Sequence, residues 1–212
     1  MTHLLSSIFG RASKTDYMTD KTHQIIGLTA ATATFVVFHP GDDLSWGIAG
    51  TILFGSFVGS ILPDIDQPTS GFWDAVPLGD YLGKIVPKTL GGHRNLSHSI
   101  LGIILFYLLF NWLVQTFLKS GTFIDQSILM ESFLAGFVAH LAADSITVQG
   151  IPLFWPMGRN MGFPPRPFHG ARILTGKWFE NLVVFPGTIV VLLLVLSVNL
   201  NRLCQLVPVN CS

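Results

Sequence analysis

The chain has 212 residues, of which 50% are hydrophobic and 11% are charged, and its mean hydropathy is +0.55. This composition excludes an ordinary soluble domain, since about a quarter of the residues in such domains are charged. The formal net charge is zero, so the overall charge gives no electrostatic reason to expect a nucleic-acid partner. The composition is that of an integral membrane protein.

Apolar residues occur in blocks of about the 20 residues that a helix needs to cross the hydrocarbon core of a bilayer. The third and fifth blocks are the clearest, because ILGIILFYLLFNWLVQTFL and LVVFPGTIVVLLLVLSVNL contain no charged side chain. Since irregular backbone is not tolerated against lipid, we expect an all-α, polytopic membrane bundle. The five predicted spans are Thr22 to Phe38, Ser45 to Leu62, His98 to Leu118, Ile128 to Val148 and Asn181 to Leu203.

Lysine and arginine residues predict the orientation of these spans, because cytoplasmic loops carry an excess of them. If the N-terminus is cytoplasmic, basic residues concentrate in the N-terminal arm and in two long loops, residues 63–97 and 149–180. The opposite side keeps only Lys119 and Arg202. We therefore predict a multi-pass protein of a bacterial-type cytoplasmic (inner) membrane, with both long loops on the cytoplasmic side.

One membrane-embedded domain, residues 22–203, follows from this arrangement. Residues 1–21 precede it as an arm whose stretch LLSSIF suits the membrane surface, and residues 204–212 follow it as a tail. Cys204 and Cys211 lie in that tail, where an extracytoplasmic disulfide and two free thiols are equally good interpretations.

Residues of the types that bind metals occur at the cytoplasmic ends of four predicted spans. Asp64 and Asp66 follow the second span, and His140 and Asp144 are four residues apart, so they share one face of the fourth. A carboxylate within a span costs roughly 2.5 to 3.5 kcal/mol on insertion, which makes Asp144 a functional-site candidate that needs a partner. The complete set of candidate ligands is His23, Asp64, Asp66, His93, His98, His140 and Asp144.

Most of these residues also have a simpler interpretation. The stretch PDIDQP is typical of a turn or a helix cap. The other polar residues at the membrane boundary could be head-group-level side chains or members of a cap: they are His23, His93 with Arg94, and His98 beside the possible N-caps Asn95 and Ser97. Asp144 and His140 are harder to explain in this way, so we favour one shared metal site.

Mixed histidine and aspartate ligands suit zinc, manganese or iron rather than calcium, and more than four ligands indicate two or more ions. Neighbouring ions activate a water and stabilise displacement at phosphorus, which predicts hydrolysis of a phosphoester. The predicted catalytic residues are Asp64, Asp66, His98 and Asp144, with Arg94 holding the phosphate.

The second long loop adds Arg159, Arg166, Arg172 and His169. The arginines could form forks for a phosphate, or they could be positive-inside residues, which is the better interpretation of any single one. His169 could protonate a leaving group.

The ordered motifs THQIIG, LPDID, HRNLSHS, HLAADSIT, GIPLFWP and TGKWFE, over roughly residues 22 to 181, resemble the YdjM family, described as inner-membrane-associated, metal-dependent hydrolases. By that resemblance, the same seven histidines and aspartates form the metal site. The family is also similar to zinc-dependent phospholipase C and related nucleases, which implies a phosphoester substrate. We therefore expect the partners to be membrane lipids and a lipid or lipid-linked phosphoester, with no nucleic acid.

Two other classes of function fit parts of the sequence. An ion or proton transporter could relay cations through intramembrane histidine and aspartate residues, although it would need polar residues at both membrane depths. A non-catalytic, metal-stabilised scaffold would hold a fully coordinated ion without an open position.

Overall fold

The computed structural model describes residues 20–42, 44–68, 70, 72–73, 77–89, 94–118, 124–165, 168–172, 178–199 and 201, without the side chains of residues 80, 169 and 171. Nearly all of the predicted arm lies outside these ranges, as does the tail with Cys204 and Cys211. The described residues are helical with no β-strand, which confirms the all-α prediction. The helices are α1 Asp20–Phe38, α2 Trp46–Ile61, α3 Gly79–Thr89, α4 Ile100–Phe117, α5 Gln126–Ser145 and α6 Phe185–Val198.

Four helical segments of the described chain are long and apolar enough to cross a bilayer. They correspond to the second to fifth predicted spans, with ends shifted by a few residues: Trp46–Asp66, Ile100–Phe117, Gln126–Ser145 and Glu180–Val198. The first predicted span also forms a helix, the 19-residue α1. It is not among the four, because its first turn is polar and its middle is rich in threonine and alanine.

Helix α5 is the centre of the bundle and packs against α1, α2 and α4. Phe133 and Phe137 on α5 are completely buried, and they pack against Phe110 and Phe106 of α4. Helix α6 is peripheral and has no buried residue of its own. His140 and Asp144 therefore belong to the most enclosed helix in the structure.

Glycines bring the backbones of α2 and α5 into direct contact. A Cβ atom at Gly59 would overlap the carbonyl oxygen of Phe133, and one at Gly136 would lie 2.6 Å from the carbonyl oxygen of Ser56. Small residues allow this close approach between membrane helices, where van der Waals packing supplies much of the stability. The contact brings the C-terminal half of α5 next to the end of α2.

The first long loop contains more regular structure than the sequence suggests. A 3-10 helix, Leu62–Asp66, continues directly from α2, so LPDID is not a free turn. Helix α3 follows, and its Gly83 packs against the buried Trp73. Asn95 is the N-cap of the 3-10 helix Leu96–His98, whereas the N-cap of α4 is Ser99, whose side chain accepts a hydrogen bond from the Gly102 amide.

The second long loop is held by backbone hydrogen bonds. Ile151 and Met161 form an isolated antiparallel bridge, and the amide of Ile100 donates to the carbonyl of Leu153. The guanidinium of Arg172 donates to the carbonyls of Pro164 and Gly162 at 3.0 and 2.8 Å. The loop is thereby fixed against the start of α4.

The close contact of α2 and α5 predicts a difference between two glycines of α2. Gly59→Ala should destabilise the fold by about 1–3 kcal/mol, because the new methyl group forces the helices apart. Gly50→Ala is the matched control, since a Cβ there meets nothing within 4 Å, and it should be neutral or slightly stabilising. Thermal unfolding in detergent measures both, and equal effects would contradict the packing.

A histidine at the far end of α1 predicts a pH effect on stability. His39 Nδ1 lies 2.9 Å from Asp42, and Nε2 lies 2.8 Å from Glu131 on α5. The hydrogen bond to Glu131 makes the largest contribution, and with Asp42 it raises the pKa of His39. A raised folded-state pKa gives stability that is complete below the unfolded-state pKa of about 6.5 and is lost as pH rises through the folded value.

We therefore expect wild type to be more stable than His39→Gln at pH 6, with a smaller difference at alkaline pH. Melting temperatures of the two proteins across that range test this, and a difference that does not change with pH would refute it.

Candidate metal centre

Five of the seven candidate ligands converge at one end of the bundle: His23 of α1, Asp64 after α2, His98 before α4, and His140 and Asp144 of α5. We call these five residues the His-Asp cluster. The Nε2 atom of His98 is 3.8 Å from Asp64 Oδ1 and 3.2 Å from Asp144 Oδ2. The Nε2 atom of His140 lies 3.7 and 3.9 Å from the same two oxygens. His23 Nε2 is 3.4 Å from the other oxygen of Asp144.

The cluster contains two overlapping sets of potential ligands. His23, His140 and Asp144 form one, and Asp64, His98 and His140 form the other. In each set, one ligand atom per residue lies within 4.8 Å of the others. The rings of His23 and His140 are stacked with centroids 3.8 Å apart. This arrangement of nitrogen and oxygen donors could hold a metal ion.

The tautomer of His140 follows from its hydrogen bond to α2. Its Nδ1 lies 2.6 Å from the carbonyl oxygen of Ser60, which can only accept, so we assign Nδ1 as the donor. In a neutral ring, Nε2 then carries a lone pair directed towards Asp64 and Asp144. That atom is buried and has no hydrogen-bond partner among the described residues. A lone pair facing carboxylates is unfavourable unless a cation or proton lies between them.

His98 is oriented by Asp66 and Ser97. The Ser97 hydroxyl donates a short hydrogen bond to Asp66 Oδ2, so its oxygen is available to accept from His98 Nδ1 at 2.9 Å. The amide of Arg94 also donates to Asp66 Oδ2, at 2.8 Å. Asp66 is fully buried and supports the ring of His98 through its Nδ1 side. Supporting contacts of this kind fix the orientation of metal-binding histidines.

Arg94 is directed into the protein. Its Nη2 lies 2.8 Å from Asp144 Oδ2, and its Nη1 donates to the carbonyl of Gly150 at 3.1 Å and contacts the Thr147 hydroxyl at 3.4 Å. Arg94 has a left-handed backbone with φ of 58°, which belongs to the sharp turn before the 3-10 helix Leu96–His98. The guanidinium therefore orients and partly neutralises Asp144.

Charged side chains gather around the cluster. Among the described residues, Asp64, Asp66 and Asp144 are acidic, and the Arg94 guanidinium pairs with Asp144. Burial lowers the pKa of His98, but hydrogen bonding to Asp144 and Asp66 outweighs it and raises that pKa to about 9. A proton on His98 and a divalent cation would therefore compete for the same carboxylates.

The remaining predicted residues lie elsewhere or outside the described chain. His93 and Arg166 are outside it, as is the side chain of His169. Arg159 is exposed, and Arg172 donates its hydrogen bonds to loop carbonyls rather than facing the cluster.

Comparison with known proteins identifies the family. The family model for YdjM inner membrane protein matches residues 18–205. The chain belongs to the YdjM family. It is 33% identical over 98 residues to the inner membrane protein YdjM of Escherichia coli (strain K12), a match that covers 45% of this chain and 44% of that protein. No solved structure matches.

A second bacterial protein matches over a longer part of the chain. The chain is 26% identical over 167 residues to YvsG of Bacillus subtilis (strain 168), described as uncharacterized, and this match covers 79% of the chain and 88% of YvsG. The YdjM of Shigella flexneri matches as the Escherichia coli protein does, with 33% identity over 98 residues. These names establish an inner membrane family and leave the activity to be inferred from the site.

Sequence reasoning on this YdjM-family chain missed three supporting groups. Ser60 acts through its backbone carbonyl, which no sequence pattern reveals, and Ser97 was considered only as a helix cap. Glu180 is fully buried at the start of a π-helical segment and accepts a hydrogen bond from Thr22 at 2.8 Å. A carboxylate at the edge of the last span was a usable signal for Glu180. The hydrogen bond between Thr22 and Glu180 fastens the segment that leads into α6 to the residue before His23.

The support of His98 predicts the effect of removing one hydroxyl. Ser97→Ala should weaken zinc binding by about 10- to 100-fold, because it removes the group that joins Asp66 to His98 Nδ1. Ser145→Ala is the matched control, since its hydroxyl donates to the Ala142 carbonyl within α5. Competition with a chromophoric chelator measures both affinities. Equal affinity in the two variants would show that Ser97 does not orient the ligand.

Proposed function

We propose that this protein is a membrane-embedded, metal-dependent hydrolase that cleaves a phosphoester of a lipid or lipid-linked molecule at the cytoplasmic face. The observation that carries the proposal is the buried Nε2 of His140, which the Ser60 carbonyl directs towards Asp64 and Asp144. Buried in this orientation, the Nε2 atom would be a metal ligand that is already in place before the ion binds.

The donor set suits a divalent transition metal, and zinc is the proposed ion. Imidazole and carboxylate ligands are typical of zinc, and the carboxylates of Asp64 and Asp144 favour a dication. His23, Asp64, His98, His140 and Asp144 would hold the metal. When bound, the metal would supply a Lewis acid that lowers the pKa of a water and offsets charge at a phosphoryl group.

Other residues of the site orient the metal ligands or accept a proton. Ser60 and Ser97 fix the rings of His140 and His98, and Asp66 supports the latter. Arg94 holds Asp144 in place, which replaces its expected role of gripping the phosphate. Asp64 is the most exposed carboxylate of the cluster, with 14% of its side chain accessible, so it is the best placed to accept a proton near a substrate.

Ion or proton transport is the second candidate, and one observation favours it. Buried hydroxyls lie between the His-Asp cluster and the His39 and Glu131 pair at the other ends of α1 and α5, namely Thr29, Thr32, Thr51, Ser56 and Ser60. Each donates to a carbonyl of its own helix, so its proton is already engaged. We therefore rank transport below hydrolysis. Proton flux in proteoliposomes that falls in Thr32→Val would reverse this order.

Replacement of two cluster carboxylates tests the hydrolase. Asp64→Asn and Asp144→Asn should each lower bound zinc at least about tenfold, and turnover of phospholipids or isoprenoid phosphates about 100-fold or more, because both supply metal ligands. Glu131→Gln is the matched control, a carboxylate of α5 outside the cluster, and should keep both properties. Elemental analysis and phosphate release are the measurements. A variant pair that retains zinc would defeat the metal assignment, and zinc binding without hydrolysis in wild type would leave a scaffold.

A further inference from the structure

A cavity of about 310 Å³ adjoins the His-Asp cluster. It lies between the start of α1 and the end of α2, and His23 and Asp64 form its inner wall. The other lining residues include Phe57, Val58 and Ile61 of α2, with Phe72 covering one side. The cavity therefore joins the proposed metal ligands to an apolar wall.

That wall belongs to the lipid-facing side of α2. Leu53, Phe54 and Phe57 are exposed at 56%, 55% and 47%, within a segment that is long and apolar enough to span the bilayer. Ile61 follows Phe57 by four residues and lies on the same face, one turn nearer the cluster. Acyl chains would contact this face, so the cavity opens where hydrocarbon meets the end of the span.

Within the part of the chain that the structure describes, the rest of the cluster is buried. His98 and His140 have no exposed surface. Arg94, bonded to the Gly150 carbonyl, covers Asp144 from the side of the second loop. Asp64 lines the cavity, and 14% of its side chain is accessible, the largest fraction in the cluster.

We propose that the substrate reaches the His-Asp cluster sideways from the bilayer through this cavity, and that it is an amphiphile whose phosphate lies directly next to its hydrocarbon chain. This inference rests on the proposed function and narrows its substrate class. A phosphate adjacent to the chain can reach Asp64 and His23 while the chain stays against Phe57 and Ile61. A phosphate at the far end of a large polar head group cannot make both contacts.

The test uses binding rather than turnover. The full chain, in nanodiscs and loaded with Co²⁺ in place of zinc, is titrated with dodecylphosphonate and with methylphosphonate, and the visible absorption of cobalt reports binding. Wild type should bind dodecylphosphonate at least tenfold more tightly. Ile61→Trp fills the apolar part of the cavity and should remove that preference, with cobalt content unchanged because Ile61 is not a metal ligand.

Two further variants make the result decisive. Phe54→Trp is the matched control, on the same face of α2 but one turn beyond the cavity, and should behave as wild type. Gln24→Trp fills the cavity from α1 and should reproduce Ile61→Trp if the latter fails to fold. Equal wild-type affinity for both phosphonates, or an unchanged preference in both filling variants, would overturn the sideways route.

The same experiment separates this inference from the proposed function. Selective dodecylphosphonate binding without hydrolysis of any phosphoester would support the route and overturn the hydrolase. If wild type takes up no cobalt, the metal centre and the route are both overturned.

Discussion

The hydrogen bond from His140 Nδ1 to the Ser60 carbonyl is the interaction on which the geometry of the site depends. In a 3-10 turn, that carbonyl would normally accept from the amide of residue 63, but residue 63 is proline and has no N–H. The carbonyl is therefore available to the neighbouring helix. The contact requires α2 and α5 to touch, which Gly59 and Gly136 allow. A proline at the end of an apolar run thus sets the tautomer of a histidine 77 residues later.

The buried charges explain why so many polar residues surround this contact. An uncompensated carboxylate at the edge of a membrane is expensive, and Arg94 compensates Asp144. Asp66 is stabilised differently, by the amide of Arg94 and the Ser97 hydroxyl. Asp64 and Asp144 are left facing the Nε2 atoms of two histidines. The described contacts thus direct two histidine nitrogens and two carboxylates towards one point, which could hold a metal ion.

The sequence predicted the helices and the convergence of ligands for a simple physical reason. Hydrophobic length reveals a span directly, and Asp144 is conspicuous because charge is rare within one. Ends of helices were less predictable, since the 3-10 turns at LPDID and Leu96–His98 depend on tertiary contacts. The direction of the Arg94 side chain was not predictable at all. A sequence shows that an arginine is present, but it does not show whether its guanidinium faces a phosphate or a buried carboxylate.

Helix α1 shows how the fold permits a polar segment in a membrane protein. It carries His23 and a series of threonines, and it is less apolar than the four candidate spans. It packs against α2 and α5 and is fastened to α6 by the bond between Thr22 and Glu180. Helix α6, which buries none of its own residues, packs against α1. The most apolar of the candidate spans thus contacts the helix that carries the candidate ligand His23, and this contact leaves less of the polar helix α1 facing outwards.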